Sequence, residues 1–363
     1  IFSEGVIELD LMSEKKAVLD LELTRISNTE SYLNLELSTT EDSAWAEAGH
    51  VIAEEQFVIN EFENTYDELE VGEELIVADT YGSLRIITED INIRFERRER
   101  NQLYSIKVGG EEFLNAPVRL NFWRALTDND RGSRAGSRLG CWREAGNTPG
   151  MYNNTKFSIE GYKIVDSGRK VIVTCGAVVC TQPESKATVV YTITSKGIGV
   201  DMQFFPNPAL PEIPEVSMLF ELPGDFENVS YLGEGPYENY IDRRNGTKIG
   251  VYNTTVTDMY TDYLKPQECG NRTGVRYVTL FGRKKTFTLI AEPVMEFNAS
   301  RYYPMELENA WHKKELPESN KTVVRAIARQ QGVGGYDSWG AKANEKYLNK
   351  TDRTYRLKFQ IRF

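Results

Sequence analysis

Short runs in which apolar and polar residues alternate dominate this chain of 363 residues. Alternation with period two places successive side chains on opposite faces of an extended strand. The clearest runs are rich in β-branched and aromatic residues and span residues 170–175, 187–194, 199–204, 286–290 and 355–363. Ser195-Lys196-Gly197 supplies a compact hairpin connection between two of them. The pattern predicts an all-β sandwich or barrel.

Helical signals are sparse in comparison. Residues 137–145 predict one short helix with Ser137 as its N-cap. Residues 304–313 predict a further turn or two, with Pro304 near the start.

The composition changes once, where residues 54–79 become dense in Glu and Asp. A charge run is typical of a solvated connector, so we predict an acidic linker at residues 64–77. Residues 1–63 contain too few strand patterns for an independent sandwich. These patterns include residues 6–11, 16–23 and 32–37. Residues 78–363 predict one long all-β domain.

The formal net charge of −11 argues against a nucleic-acid partner, because phosphate binding requires clustered Lys and Arg. It also argues against an anionic membrane surface, and no apolar run approaches the roughly twenty residues of a membrane span. The chain starts without Met, a basic region or an apolar signal segment, which indicates a processed or truncated protein.

The cysteines are too few and too scattered for a disulfide framework. They are Cys141, Cys175, Cys180 and Cys269. Cys175 and Cys180 are five residues apart in a strand pattern, so we expect them on opposite faces. Reduced thiols in a cytoplasmic protein are the prediction.

Motifs of familiar catalytic chemistry do not occur. The two histidines, His50 and His312, lack the spacing of metal ligands, and there is no phosphate-binding loop, dinucleotide fingerprint or nucleophile elbow. Carboxylates are numerous, so counting alone does not exclude the Glu/Asp pair of a glycosidase.

Two clusters of polar residues have a structural and a functional interpretation. Residues 128–132, Asp-Asn-Asp-Arg-Gly, predict an Asx-type turn, with an acidic site as the alternative. Residues 233–243 contain a Gly235-Pro236 turn and a candidate ion pair between Asp242 and Arg243. The alternative for this second cluster is that it lines a cleft.

A third segment, residues 333–340, places Trp339 on a glycine-flanked loop about twenty residues before the last residue. Loops on a rigid scaffold often carry binding residues. The indole offers a flat apolar face and one N–H donor, which suits the C–H face of a sugar. The alternative is a Trp that packs over the end of a sheet.

Four segments, taken in order, resemble the C-terminal part of β-galactosidases of glycoside hydrolase family 2. Residues 44–50 resemble the segment that closes the family's fourth domain. Residues 122–130 read Phe-Trp-Arg-Ala-Leu-Thr-Asp-Asn-Asp and resemble a family signature with Leu126 in place of Pro. Residues 233–243, followed by Thr-Asp-Met-Tyr at 257–260, and the Gly-Gly-Tyr-Asp-Ser-Trp of 334–339 complete the set.

The resemblance implies a fold and a division of labour. Residues 78–363 would form a large antiparallel β-supersandwich like that of galactose mutarotases, and residues 1–63 an incomplete immunoglobulin-like sandwich. The family's catalytic glutamates and Mg²⁺ site lie on a barrel that no part of this chain resembles. We therefore expect no catalytic residue, metal or cofactor here. Trp339 is the one substrate-binding residue that the resemblance implies, at the mouth of the active site.

The implied partners are a galactoside substrate, the remainder of a β-galactosidase and further copies in an oligomer, since missing strands leave an unpaired sheet edge. Two other functions stay open. One is a free-standing carbohydrate-binding module. The other is an aldose-epimerase-like enzyme, for which fold is a poor guide and His312 is the only histidine in the large domain.

Overall fold

The computed structural model describes residues 4–7, 15–21, 29–63, 68–97, 102–145, 155–337 and 340–363. Its strands are β1 (Ser31–Ser38), β2 (Val51–Asn60), β3 (Ile76–Asp79), β4 (Ser83–Ile87), β5 (Ile91–Glu96), β6 (Leu103–Val108), β7 (Glu111–Glu112), β8 (Ala116–Asn121), β9 (Lys156–Val165), β10 (Lys170–Val179), β11 (Ser185–Thr194), β12 (Gly197–Phe205), β13 (Glu215–Pro223), β14 (Asn228–Gly235), β15 (Lys248–Thr255), β16 (Arg272–Phe281), β17 (Thr286–Ser300), β18 (Lys321–Gln330) and β19 (Tyr355–Arg362).

In the part of the chain that the structure describes, the helices are short. The α-helices are α1 (Asp128–Gly132), α2 (Ala135–Arg138), α3 (Gly140–Ala145) and α4 (Pro304–Asn309). Single 3₁₀ turns occur at Asp166–Gly168, Lys313–Glu315 and Glu345–Tyr347. Among the described residues no helix is both long and apolar enough to cross a bilayer.

The chain divides into two compact units, Ile1–Thr65 and Tyr66–Phe363. In the described part of the first unit, β1 and β2 form a two-stranded antiparallel sheet, which confirms the strand predicted at 32–37. The strands predicted at 6–11 and 16–23 fall partly outside the described residues. Their described portions, residues 6–7 and 16–21, are not strands. Their alternation is not sufficient, because a strand needs a paired neighbour and Val6 and Val18 remain 93% exposed.

The second unit is an antiparallel β-supersandwich, as predicted. Twelve of its described strands form one sheet, with a path that runs β15-β14-β16-β17-β19-β12-β11-β10-β9. The sheet branches at the long strand β17. Its first half, Thr288–Glu292, pairs with β19, and its second half, Glu296–Ser300, pairs with β18, which continues to β13 and β8.

A five-stranded sheet, β3 to β7, covers part of the large sheet. Apolar residues of both sheets share one core, and Phe95 of β5 meets Tyr191 of β11 edge to face at 5.2 Å. Leu69 and Leu75 are buried, and the Leu75 N–H donates to Gly168 O at 2.8 Å. Residues of the predicted linker 64–77 therefore pack onto this unit.

The strands predicted from alternation lie within β10, β11, β12, β17 and β19, apart from Phe363, which follows the end of β19. The hairpin at Ser195-Lys196 joins the paired residues Thr194 and Gly197, and Gly197 adopts φ +150°. Cys175 is buried in β10, whereas Cys180 is exposed and follows Val179, the last residue of that strand; all four thiols are unpaired.

The helix predictions are partly correct. Helix α4 begins at Pro304 as predicted. The helix predicted at 137–145 is split into α2 and α3, and the predicted cap is wrong. Ser137 lies inside α2, where its hydroxyl donates to the Arg134 carbonyl at 3.1 Å, and the capping position belongs to Arg134. Arg134 adopts a left-handed conformation, φ +57°, and so redirects the chain between α1 and α2.

Candidate functional site

Residues 332–343, here called the terminal loop, follow β18 at one end of the large sheet. Gly334 and Gly335 adopt φ values of +70° and +91°, a left-handed region that favours glycine. Ser338 and Trp339 lie outside the described residues. The assignment of Trp339 to substrate binding therefore stays a prediction, and the described residues show how the loop on either side of it is held.

The terminal loop has a near arm, residues 332–334, and a far arm, residues 340–343, and the two arms meet at its base. A Cβ added at Gly334 would lie 3.3 Å from the Ala343 nitrogen, and the Ala341 N–H donates to the Asp337 carboxylate at 3.1 Å. The Gly332 N–H donates to Tyr347 O at 2.9 Å. Ends that lie close together over a compact span are typical of an Ω-loop, a class that is frequently functional.

The motif at residues 122–130, the first of the large unit, forms hydrogen bonds with the near arm of the loop and with the residue before it. The fully buried Arg124 guanidinium pairs with Asp130 through two bonds of 3.1 Å. It also donates to the carbonyls of Gln331 at 2.6 Å and Gly332 at 3.0 Å. Burial would lower the pKa of Arg124, but the Asp130 carboxylate beside it raises that pKa above its ordinary value.

Asp128 to Gly132 form helix α1 instead of the predicted Asx-type turn. Thr127 is the N-cap: its hydroxyl accepts from the Asp130 N–H, and the Asp130 carboxylate accepts from the Thr127 N–H. This reciprocal capping box starts a helix, which explains why the turn prediction was wrong. The helix brings the Asn129 amide to Val333 O, to which it donates at 3.0 Å.

Helix α1 also contacts the far arm of the loop. A Cβ added at Gly340, which has φ +88°, would lie 2.4 Å from the Gly132 oxygen. The two backbones therefore touch, and only glycine fits at position 340 without a shift. Helix α1 therefore contacts the terminal loop both before and after residues 338 and 339 in the sequence.

The second motif, residues 233–243, reaches the same loop through Asp242. The predicted ion pair between Asp242 and Arg243 is wrong. Arg243 pairs instead with Glu238 at 3.4 Å, while the Asp242 carboxylate accepts the N–H groups of Val333 and Gly334, each at 2.9 Å. Adjacent residues in an irregular segment point in different directions, so neighbouring charges in the sequence need not meet.

Glu238 joins this motif to the segment after 257–260. Its carboxylate accepts the Gly270 N–H at 2.8 Å, the Thr261 hydroxyl at 3.3 Å and the Tyr263 hydroxyl. Burial raises the pKa of Tyr263 to about 12, and the bond to Glu238 adds to this rise. Residues of two motifs, 122–130 and 233–243, therefore contact the terminal loop, and Glu238 connects the second of them to residues 261–270.

A buried charge cluster lies in the sheet beneath this region, and the sequence analysis missed it. Arg325 of β18 donates to Glu215 and Glu268, at 2.5 Å each, and all three side chains are buried. Burial raises the pKa of Glu215 to about 7, and Arg325 opposes the rise. The guanidinium bridges the two carboxylates, so no sugar has access between them. This pair cannot act as the two carboxylates of a glycosidase.

An open hollow of about 480 Å³ lies on the surface beyond Tyr263. It is lined by Asp262, Tyr263, Leu264, His312, Lys313 and Lys314. Lys313 pairs with Asp262 at 2.7 Å, and both side chains are more than half exposed. Nearby, the Lys265 ammonium lies 3.6 Å from the ring centre of the exposed Trp311. His312 therefore belongs to a solvated rim.

Comparison with protein families shows similarity to domains of one class of glycosidase. The model described as Beta galactosidase small chain matches residues 88–361, and the model described as Beta-galactosidase, domain 4 matches residues 1–60. The chain belongs to the β-galactosidase small chain family. The resemblance inferred from the four segments is confirmed.

Relatives of this chain are β-galactosidases. That of Priestia megaterium is 34% identical over 92% of this chain and 31% of its own length. That of Streptococcus thermophilus is 32% identical over 99% of this chain and 34% of its own length. This chain thus spans about a third of both relatives. The β-galactosidase small subunit of Latilactobacillus sakei is 29% identical over 79% of this chain and 100% of its own length.

Two solved structures of galactose mutarotase-like proteins are similar to the structure of this chain. One from Lactobacillus casei covers 77% of this chain and 99% of its own, with a TM-score of 0.43 at 12% identity. One from Clostridium acetobutylicum covers 79% and 98%, with a TM-score of 0.45 at 10% identity.

Proposed function

We propose that this chain is the non-catalytic C-terminal region, or a separate small subunit, of a retaining β-galactosidase that hydrolyses terminal β-D-galactosides such as lactose. The terminal loop brings Trp339 to the mouth of the active site, where the indole face stacks on the acceptor half of the substrate. The observation that supports this role best is the convergence of Arg124, Asn129 and Asp242 on that loop.

The catalytic glutamates and Mg²⁺ belong, in this proposal, to a barrel domain or large subunit that completes the enzyme. Within the described ranges, no group of three or more His, Cys, Asp or Glu side chains is arranged to hold a metal ion. The small subunit of Latilactobacillus sakei supports a partner chain as one form of the assembly. The four unpaired thiols agree with a cytoplasmic location.

The purified chain is expected to hydrolyse no nitrophenyl galactoside on its own. Activity should appear when the barrel-containing part of the enzyme is supplied. A colorimetric assay of protein from a host that lacks β-galactosidase measures this directly. Turnover by the isolated chain, proportional to its concentration, would contradict the division of labour.

Sugar titration separates this proposal from a free-standing carbohydrate-binding module. One aromatic platform is not a complete pocket, so calorimetry of the isolated chain with lactose should give a Kd of about 1 mM or weaker, which is no more than about 4 kcal/mol of binding free energy. Micromolar binding would favour the module instead.

Trp339→Ala in the complete enzyme is expected to weaken acceptor affinity about tenfold, because ring-face contact and apolar burial together contribute roughly 1–2 kcal/mol. The measurements are the KM for lactose and the competition constant for glucose. Trp311→Ala is the matched control, since Trp311 is 68% exposed and precedes His312, which lines the surface hollow. Equal kinetics in the two variants would remove the assignment of Trp339.

A further inference from the structure

Asp242 contacts the backbone of the terminal loop, which its position in the motif at residues 233–243 does not predict. Its two carboxylate oxygens accept the N–H groups of consecutive residues, Val333 and Gly334, at 2.9 Å each. Bonds from N–H donors to an ionised carboxylate are stronger than neutral ones, and two together fix the orientation of the peptide. Asp242 therefore binds the backbone of the near arm of the terminal loop at the point where the loop leaves the sheet.

The carboxylate fits closely against the loop. A Cβ added at Gly332 would lie 2.6 Å from one Asp242 oxygen and 3.0 Å from the other. Gly332 has no positive φ, so the constraint at this position is the space that the carboxylate occupies. Any larger residue at 332 would displace the Asp242 side chain.

The other contacts of the loop complete a clamp. Asn129 donates to the Val333 carbonyl at 3.0 Å, so residue Val333 is bonded at both its backbone N–H and its backbone C=O. Beyond Gly334 the two arms lie against each other, and Gly340 touches Gly132. The described residues on either side of 338 and 339 are therefore held by Asp242 and α1 at Val333 and Gly334 and by α1 at Gly340.

We propose that Asp242 is a positioning residue, which holds the terminal loop in the orientation that substrate stacking on Trp339 requires. The inference rests on the proposed function of Trp339. It assigns Asp242 no contact with substrate. Loss of the clamp should release the loop, so that part of the acceptor affinity is lost while the chemistry at the barrel is kept.

The experiment compares Asp242→Asn with wild type in the complete enzyme. An amide offers one acceptor and turns its NH₂ towards a second N–H, so one of the two bonds is lost. We expect the KM for lactose and the competition constant for glucose to rise about three- to tenfold, as for the loss of one hydrogen bond, with kcat changed by less than about twofold. Deuterium exchange should accelerate in peptides that contain Val333 and Gly334.

Gly332→Ala is a second variant, which displaces the carboxylate without removing it. It should reproduce the effects of Asp242→Asn on the KM for lactose and on deuterium exchange. The double variant should be no worse than the more affected single variant, because both changes break the same bonds. Asp225→Asn is the matched control. The Asp225 carboxylate also accepts a backbone N–H, that of Arg283 at 3.2 Å, but this bond joins the β13–β14 and β16–β17 connections and does not involve the terminal loop.

The results distinguish failure of the inference from failure of the proposed function. If Trp339→Ala weakens acceptor binding and Asp242→Asn does not, Asp242 is not a positioning residue. If neither affects it, the role of Trp339 itself is wrong, whatever deuterium exchange shows at Val333. A fall in kcat with unchanged KM, or strictly additive effects of Asp242→Asn and Gly332→Ala, would also overturn the inference, since such effects indicate only structural damage.

Discussion

Replacing Arg325 by methionine is expected to lower the free energy of unfolding by about 3–5 kcal/mol. Arg325 is shared by Glu215 and Glu268, and all three side chains are withdrawn from water. Methionine fills a similar volume but donates no hydrogen bond. Two buried carboxylates would lose their common cation in a medium of low dielectric, where an unpaired charge is costly.

Urea unfolding followed by circular dichroism measures this loss. Arg356→Met is the matched control, because Arg356 pairs with Asp201 at 2.6 Å but its side chain is 54% exposed. Exposed pairs contribute at most about 1 kcal/mol, so the control should unfold almost like the wild type. Similar losses in the two variants would contradict the importance of burial.

A triple variant tests the physical cause. Arg325→Met combined with Glu215→Gln and Glu268→Gln removes both negative charges along with the cation. Asn121 and Ser217 donate to one Glu215 oxygen and can still bond to an amide oxygen, whereas Gln330 donates to the other oxygen, which an amide replaces with a donor. The triple variant should therefore recover about half or more of the lost stability, since amides without a cation avoid the cost of a buried charge. No recovery would indicate that shape, not charge, dominates.

The sequence predicted the regular part of the fold well. Alternation located β10, β11, β12, β17 and β19 because the faces of these strands differ in burial, as in β10, where Val171, Val173 and Cys175 are buried. The same signal did not produce a strand in the described parts of 6–11 and 16–23. Local periodicity says nothing about whether a neighbouring strand is present to pair.

The sequence located the motifs of the site but not their contacts. Asp242 and the residues it binds are 91 and 92 positions apart, and Arg325 is 110 positions from Glu215. Such pairs depend on sheet topology, which propensity does not encode. One signal was present: Arg325 stands inside the apolar run of β18, and a charge in a continuous buried run indicates a buried partner.

Glu296 of β17 provides the second large effect, a pH-dependent stability. Its side chain is buried and accepts the Gln330 N–H at 3.1 Å and the Asn271 amide at 3.0 Å. Burial raises the pKa of Glu296 to about 7, although these two bonds favour the charged form. No Lys or Arg among the described residues forms a salt bridge with it.

The sign of the effect follows from the raised pKa. The unfolded chain releases the Glu296 proton near the ordinary value of 4.5, and the folded chain keeps it until about pH 7. Between these values the folded state binds more protons, so stability falls as pH rises. With 1.36 kcal/mol per pKa unit, the loss attributable to Glu296 is about 2–3 kcal/mol.

Glu296→Gln should remove this dependence, because the amide resembles the protonated acid at every pH. The free energy of unfolding of the variant relative to wild type should rise by about 2–3 kcal/mol between pH 5 and pH 8 in urea titrations. Glu111→Gln, on the exposed side of β7, is the control and should change the pH profile little. Because burial also raises the pKa of Glu215, the wild-type profile alone does not isolate Glu296, and the difference between wild type and Glu296→Gln does. A difference that shrinks as pH rises would show that Glu296 is charged and stabilised in the folded chain, opposite to the effect of its burial.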